Sequence, residues 1–291
     1  VIAVAEGLAS TVAEVWDGVS RRLTEAGISN GPGEAKELVS RVLGVPRKSL
    51  DVRRADRWPP GVAHGLLNSL VRQRLAHIPL AYLLGEWDFG DMTLTVTPDV
   101  LIPRPETEEL FEWMARDVAA SGVVPSCMVD VGTGAGGLVL AMARQWPTAR
   151  GTAIDLSVGA LAVARWNARR HGVETALEFR RADLLEGTRD GSVDLIAANM
   201  PYIETSDLAG LSRDVLKEPR RALDGGPDGL ALIRRLIPQA FRALRPGGKL
   251  FLEVGRGQTE EVTREMDNAG FSGVCARRDT AGILRFLRGV R

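Results

Sequence analysis

From Ala3 to about Ala76 apolar residues recur at helical intervals. Val12, Val15, Trp16, Val19 and Leu23 fall three or four apart, and Leu38, Val39, Val42 and Leu43 repeat the pattern. Breakers at 27–33 and 58–61 divide the stretch, which predicts a small helical bundle. The period changes after Ile78-Pro79. Met92, Leu94 and Val96 alternate with Thr93, Thr95 and Thr97, as in a half-buried strand. Leu101-Ile102-Pro103-Arg104-Pro105-Glu106-Thr107-Glu108-Glu109 follows. A helix is expected to begin near Pro105, with Thr107 or an acidic neighbour in its first turn.

From Cys127 onward strand-like and helix-like runs alternate. Strands are expected at 127–131, 150–156, 176–181, 193–198 and 250–254, with helices at 138–145, 158–171 and 229–244. Such alternation predicts an α/β fold with a parallel sheet covered on both faces. A further helix near 258–269 precedes two apolar segments, 273–276 and 283–287, expected as an antiparallel hairpin at the sheet edge. The domain reading is 1–77 helical, 78–104 linker and 105–291 α/β.

Composition narrows the class. At 291 residues and 45% apolar, the chain can bury a large core. Lys plus Arg and Asp plus Glu are balanced at 37 each, which argues against broad, non-specific nucleic-acid binding. Cys127 and Cys275 lie far apart with neither metal-ligand nor redox spacing, so no metal is expected. The arginine-rich stretch 47–57 reads as a solvated charged surface. No signal-type or membrane-length apolar run is seen, so a cytoplasmic location is expected.

Candidate chemistry sits at the strand ends. Asp130-Val131-Gly132-Thr133-Gly134-Ala135-Gly136 falls where the first strand of the α/β region meets its helix. Its glycines allow a tight turn and close backbone approach to a ligand. Their alternating spacing differs from the dinucleotide pattern and suits the amino-acid part of S-adenosylmethionine. Asp155, with Leu156 beside it, ends the next strand 19 residues beyond Gly136, where a carboxylate can accept ribose hydroxyls. Asp183-Leu184 follows the third strand and is placed to meet adenine. No Gly-Lys-Ser/Thr phosphate loop is seen.

Asn199-Met200-Pro201-Tyr202 then ends the run 193–198. A planar nitrogen shares its lone pair with a π-system and attacks a methyl group poorly unless acceptors hold its N–H groups. The Asn199 side-chain oxygen and the carbonyl of residue 200 can supply two acceptors; Pro201 stiffens the turn, and the Tyr202 ring can stack on a flat group. Glu218, before Pro219, reads as a loop-end charge or a substrate-pocket carboxylate. His64, His77 and His171 read as surface or capping residues, so no general base is evident.

Together these motifs resemble the protein-(glutamine-N5) methyltransferases that modify peptide-chain release factors. The resemblance extends through Tyr82, Gly85, Phe89-Gly90, Leu101 to Glu108, Asn167-Ala168, Asp194-Leu195, Glu218-Pro219, Gly225-Gly226, Asp228-Gly229-Leu230, Pro246-Gly247-Gly248, Asp279 and Ala281-Gly282. It implies a Rossmann-like, seven-stranded class I methyltransferase domain, an N-terminal helical substrate-docking domain and a hairpin linker. It also implies cofactor contacts from Asp130 to Gly134, Asp155, Leu184 and Asn199, with the acceptor held by residues 199–202. One departure stands out: Met200 replaces the first proline of the family's Asn-Pro-Pro-Tyr, which keeps the carbonyl and loosens the turn.

Rival acceptors remain at this point. The δ-nitrogen of free L-arginine or a related guanidino amino acid is also planar, and would draw on Glu204, Asp207 or Glu218 as carboxylate partners. Adenine in nucleic acid shares the planar-amine logic but suits the neutral charge poorly. A chain that binds S-adenosylmethionine without transferring methyl is a further class.

Overall fold

A computed structural model describes residues 10–291, so the first residues of the expected helical stretch and domain lie outside the described residues. Two compact units are present: 10–85 with 213–217, and 86–212 with 218–291.

In the first unit, α1 (Val12–Glu25), α2 (Gly31–Leu43), α3 (Val62–Leu75) and the short α4 (Leu80–Leu84) form the bundle. Helix α1 starts at a capping box, in which Thr11 and Glu14 satisfy each other's backbone N–H groups. Its predicted stripe is the buried one: Val12, Val15, Val19 and Leu23 join Leu38, Val39, Leu67 and Val71 in one core, with Trp16 packed against it. Several arginines of 47–57 are paired on the surface, Arg47 with Glu37 and Arg54 with Asp17.

The second unit opens with a hairpin, β1 (Glu86–Phe89) and β2 (Met92–Thr95), and continues into α5 (Pro105–Ser121). Pro105 begins the helix, where its missing N–H costs nothing. Then follow β3 (Cys127–Val131), α6 (Gly137–Gln145), β4 (Arg150–Asp155), α7 (Val158–Arg170), β5 (Leu177–Arg181), β6 (Val193–Asn199), α8 (Ala231–Ala243), β7 (Leu244–Glu253), α9 (Thr259–Asn268), β8 (Ser272–Arg278) and β9 (Leu284–Val290). The seven-stranded sheet has the order β5-β4-β3-β6-β7-β9-β8, with β9 antiparallel to β7 and β8 at the edge, as the late hairpin predicted.

Strand β7 begins earlier than expected. The 245–248 segment bulges out before the apolar core of the strand, with Gly247 at φ 81°, and a register shift opposite Val193 and Leu195 absorbs it. Helix α8 tolerates Pro238 in its interior. Strand β6 is buried almost throughout, the mark of a central parallel strand.

The chain order reverses at β3, which pairs with β4 on one side and β6 on the other. A crevice therefore opens beyond the carboxyl ends of these strands, and every chemical motif ends there. Asn167 secures this end. Fully buried, it accepts from Thr95 N–H (2.8 Å) and donates to the carbonyls of Thr95 and Ala135 (2.9 Å each), joining hairpin to glycine loop. Among the described residues no helix is long and apolar enough to cross a membrane.

Candidate active site

The glycine loop is pinned from below. The N–H groups of Gly132 and Thr133 both donate to the Ile154 carbonyl (2.8 and 3.0 Å), and Gly136 N–H donates to Thr133 O (2.8 Å). Gly132, Gly134 and Gly136 all have φ in the left-handed region, at 74°, 53° and 91°. Asp130 faces inward, accepting from the Thr133 hydroxyl (2.7 Å) and Val139 N–H (3.2 Å). Burial pushes its carboxyl up to about 7, against the pull of those two bonds.

Asp155 ends β4 with one oxygen on Gly134 N–H (3.1 Å) and the other on Ser157 N–H (2.8 Å). Burial raises its pKa, and the two backbone bonds hold the shift in check. Each oxygen keeps a lone pair for a hydroxyl donor. Val131, Gly132, Gly134, Asp155, Leu156, Asp183, Leu184, Asn199, Met200 and Pro201 line one cleft. Asp130, Thr133, Arg104, Thr107 and Asn199 line its neighbour. Asp183 also meets Arg235 (2.6 Å). Leu184 is buried with φ 54°, a conformation that a branched side chain rarely adopts, and it shapes the apolar wall.

At the head of β6, Asn199 Nδ2 donates to Thr107 Oγ1 (2.8 Å). Thr107 in turn donates to Glu253 Oε2 (2.7 Å), and the Tyr202 hydroxyl donates to Glu253 Oε1 (3.3 Å). Burial pushes the Glu253 carboxyl up to about 7, despite the Thr107 bond and nearby Arg285. Burial and then the Glu253 charge raise the Tyr202 phenol well above its ordinary value, so it stays protonated.

Glycines clamp the turn behind these side chains. A Cβ at Gly225 would lie 2.7 Å from the Pro201 carbonyl oxygen, and one at Gly229 would lie 2.3 Å from that of Tyr202. Gln258 donates to the same Tyr202 carbonyl (2.9 Å).

Most residues singled out in the sequence converge here. Met200 is buried, with Sδ packed over Gly132 at 3.4 Å from where a Cβ would sit, so its side chain braces the glycine loop. Tyr202 is half-buried and turned to Glu253, and is not among the residues lining either cleft. Gly136 lies at the start of α6, out of the cleft lining, with a site for Cβ closed by Leu140 and Ala164.

Glu218, read as a loop-end charge or a substrate-pocket carboxylate, lines neither cleft. Both its oxygens are engaged, by Ile102 N–H (3.0 Å) and by Arg104, so it fastens 101–104 from inside the protein. Thr107 and Glu253 carried no functional expectation. The signal was a carboxylate inside the otherwise apolar run Leu250 to Val254, since buried carboxylates are rare unless paired. Among the described residues no cluster of His, Cys, Asp or Glu is arranged to hold a metal ion.

The cleft fits S-adenosylmethionine. Asp155 offers acceptors to ribose hydroxyls, Leu156, Leu184 and Ala182 offer apolar faces to a base, and the glycine loop leaves room for close backbone approach. Fold and cleft together define an S-adenosylmethionine-dependent methyltransferase of the Rossmann-like class.

The comparisons with known proteins agree. Residues 126–279 match the family described as "Methyltransferase domain", and residues 14–85 match "PrmC N-terminal domain". The release factor glutamine methyltransferase of Geobacter sulfurreducens is 38% identical over 280 residues, 96% of each chain. That of Mycolicibacterium smegmatis is 39% identical, covering 92% of this chain and 94% of its own. The chain belongs to the release factor glutamine methyltransferase family. In fold it is similar to the hMettl16 catalytic domain solved with the MAT2A 3'UTR hairpin 1. That likeness has a TM-score of 0.57 at 14% identity, over 76% of this chain and 80% of the other.

Proposed function

We propose that this enzyme methylates the side-chain amide nitrogen, N5, of a glutamine in a peptide-chain release factor. The observation that carries the reading is the orientation of Asn199. Its NH2 end is turned to Thr107 Oγ1, which leaves Oδ1 as the acceptor end at the cleft. An uncharged amide brings two N–H donors to such a place, and Oδ1 together with the carbonyl of Met200 accepts both.

When bound, S-adenosylmethionine supplies a methyl group on a sulfonium, an electrophile already activated. The residues of the chain supply orientation. The glycine loop and Asp155 hold one side of the cleft; the two acceptors at 199 and 200 hold the amide with its lone pair turned from conjugation toward the methyl carbon. Held so, the nitrogen would take the methyl as the sulfonium is released as a neutral thioether, and would give up one proton to solvent. Pro201 fixes the turn, and Tyr202 secures its far side through Glu253.

An amide suits this cleft better than a guanidinium. Of the carboxylates arginine would draw on, Glu218 is occupied by Arg104 and Ile102, Glu204 and Asp207 line neither cleft, and Arg104 itself lines the cleft beside Asn199. Glutamine methyltransferase activity is also what the names of the full-length relatives state. The helical unit, matched over 14–85, is the element we assign to docking the protein substrate.

The test is transfer of labelled methyl from S-adenosylmethionine to purified release factor, with free L-arginine in parallel. Label in the release factor, lost when the acceptor glutamine is changed to alanine, is the expected result. Label in arginine alone overturns the reading.

A further inference from the structure

We propose that Glu253 and Thr107 are positioning residues that set which end of the Asn199 amide faces the acceptor. The proposal rests on the amide-acceptor reading above only in what it says of turnover; the orientation itself is a property of the free protein.

The argument follows protons along a chain of hydrogen bonds. An ionised carboxylate can only accept, so Glu253 Oε2 draws the single hydroxyl proton of Thr107 (2.7 Å). The Thr107 oxygen then presents only lone pairs to its other neighbour, and Asn199 must answer with its NH2 (2.8 Å). The amide oxygen is thereby forced to the opposite side, where an N–H to be methylated needs an acceptor. The second Glu253 oxygen takes the Tyr202 hydroxyl, so one carboxylate sets both side chains that flank Met200-Pro201.

Protonation inverts the chain. A Glu253 carrying its proton on Oε2 donates to Thr107, whose hydroxyl proton turns to Asn199, and the amide then satisfies it best with Oδ1. The NH2 would face the acceptor, donor against donor. Glu253 is buried and has a pKa raised to about 7, so this switch falls within an accessible range. The groups facing it are Thr107 and Glu106 on α5, Arg285 on β9 and Tyr202; Asp279 holds Arg285 in place (2.9 Å). Arg285 favours the charged form, Glu106 and burial the neutral one.

The experiment has a readout that needs no acceptor. The side-chain amide resonances of Asn199, assigned by their loss in Asn199→Ala, are followed by NMR from pH 5.5 to 9, a range of about two units around the midpoint. In the wild type they should titrate near the Glu253 value; in Glu253→Gln they should stay fixed. With saturating S-adenosylmethionine, wild-type kcat for release factor should fall on the acid side with the same midpoint. Glu253→Gln and Thr107→Val should each lose about tenfold or more in kcat, with little change in Kd for S-adenosylmethionine, and Thr107→Ser should restore turnover.

Asn199 resonances that ignore Glu253, or full kcat in both Glu253→Gln and Thr107→Val, overturn the proposal. Failure of the acceptor reading looks different. Wild-type enzyme would then leave release factor unlabelled at every pH, while the Asn199 titration and its loss in Glu253→Gln would persist.

Discussion

The glycine loop and the acceptor turn meet at one cleft but are fixed by different means. The loop is held by nearby backbone: Gly132 and Thr133 hang on Ile154, and Gly134 on Asp155, all within about one β-α-β step. The acceptor turn is held by side chains drawn from far along the chain. Asn199 answers Thr107, 92 residues away; Thr107 answers Glu253, 146 away; Gln258 grips the Tyr202 carbonyl from 56 away. The first region needs glycines because backbone must bend, and the second because neighbouring backbone crowds it. A ligand-binding loop of the first kind is a local design, while the acceptor turn exists only once the sheet and α5 have assembled.

The largest effect should come from breaking the acceptor side alone. Asn199→Ala removes the oriented acceptor and should lower kcat by about 10²- to 10³-fold, the range seen when one preorganised polar contact at a reacting group is deleted. Its thermal midpoint should move little, because Asn199 is only partly buried at the end of β6. A variant that kept wild-type kcat would remove Asn199 from the machinery and leave the cleft a binding site only.

A pair of glycine substitutions sharpens the contrast. Gly134→Ala meets only an ordinary contact, the Gly132 carbonyl oxygen at 4.0 Å, but must hold φ near 53°, a strain of about 1–2 kcal/mol. It should weaken S-adenosylmethionine binding by several-fold, roughly what such a strain allows. Gly225→Ala has no such φ; its Cβ would stand 2.5 Å from the Gly229 carbonyl oxygen and 2.7 Å from that of Pro201. The turn must shift, so kcat should fall while cofactor affinity holds. Calorimetry with S-adenosylmethionine beside steady-state kinetics separates the two, and equal effects on both parameters would dissolve the distinction.

This difference also explains what could be read from the sequence. Strand ends, the glycine loop, Asp155 and the 199–202 turn are signalled by residues adjacent in the chain, through period, turn chemistry and spacing. The edge hairpin β8–β9 followed from two short apolar runs in the same way. The Asn199–Thr107–Glu253 chain was not legible, because no local pattern ties position 107 to 253. Thr107 read as a first-turn residue of α5, which it is, but its hydroxyl serves the site instead of the helix end. The partners of Glu218 were hidden for a related reason: Ile102 N–H and Arg104 lie more than a hundred residues upstream. The early start of β7 was hidden because Pro246-Gly247-Gly248 interrupts the apolar pattern and is accommodated as an irregularity in the strand.

The last effect, read in stability instead of turnover, tests what the two regions share, a buried carboxyl at the base of each. Asp130 and Glu253 both hold their protons up to about 7 in the folded chain, chiefly through burial, against ordinary values of 3.8 and 4.5. Between those ordinary values and 7 the unfolded chain has released protons that the folded chain retains. The contribution of these two groups to stability must therefore fall as pH rises through this window, be level below it, where both states are protonated, and level again above it. The loss is on the order of a few kcal/mol for each group. Asp130→Asn and Glu253→Gln should each flatten part of the slope in denaturant unfolding followed from about pH 3 to 8, about one unit beyond each end of the titration. Their functional signatures should then part. Neutralising Asp130 loosens the bond from Val139 N–H beneath the glycine loop and should act on S-adenosylmethionine affinity, whereas Glu253→Gln should act on kcat. If both carboxyls moved the same parameter, the cleft would behave as one coupled unit rather than two separately built halves.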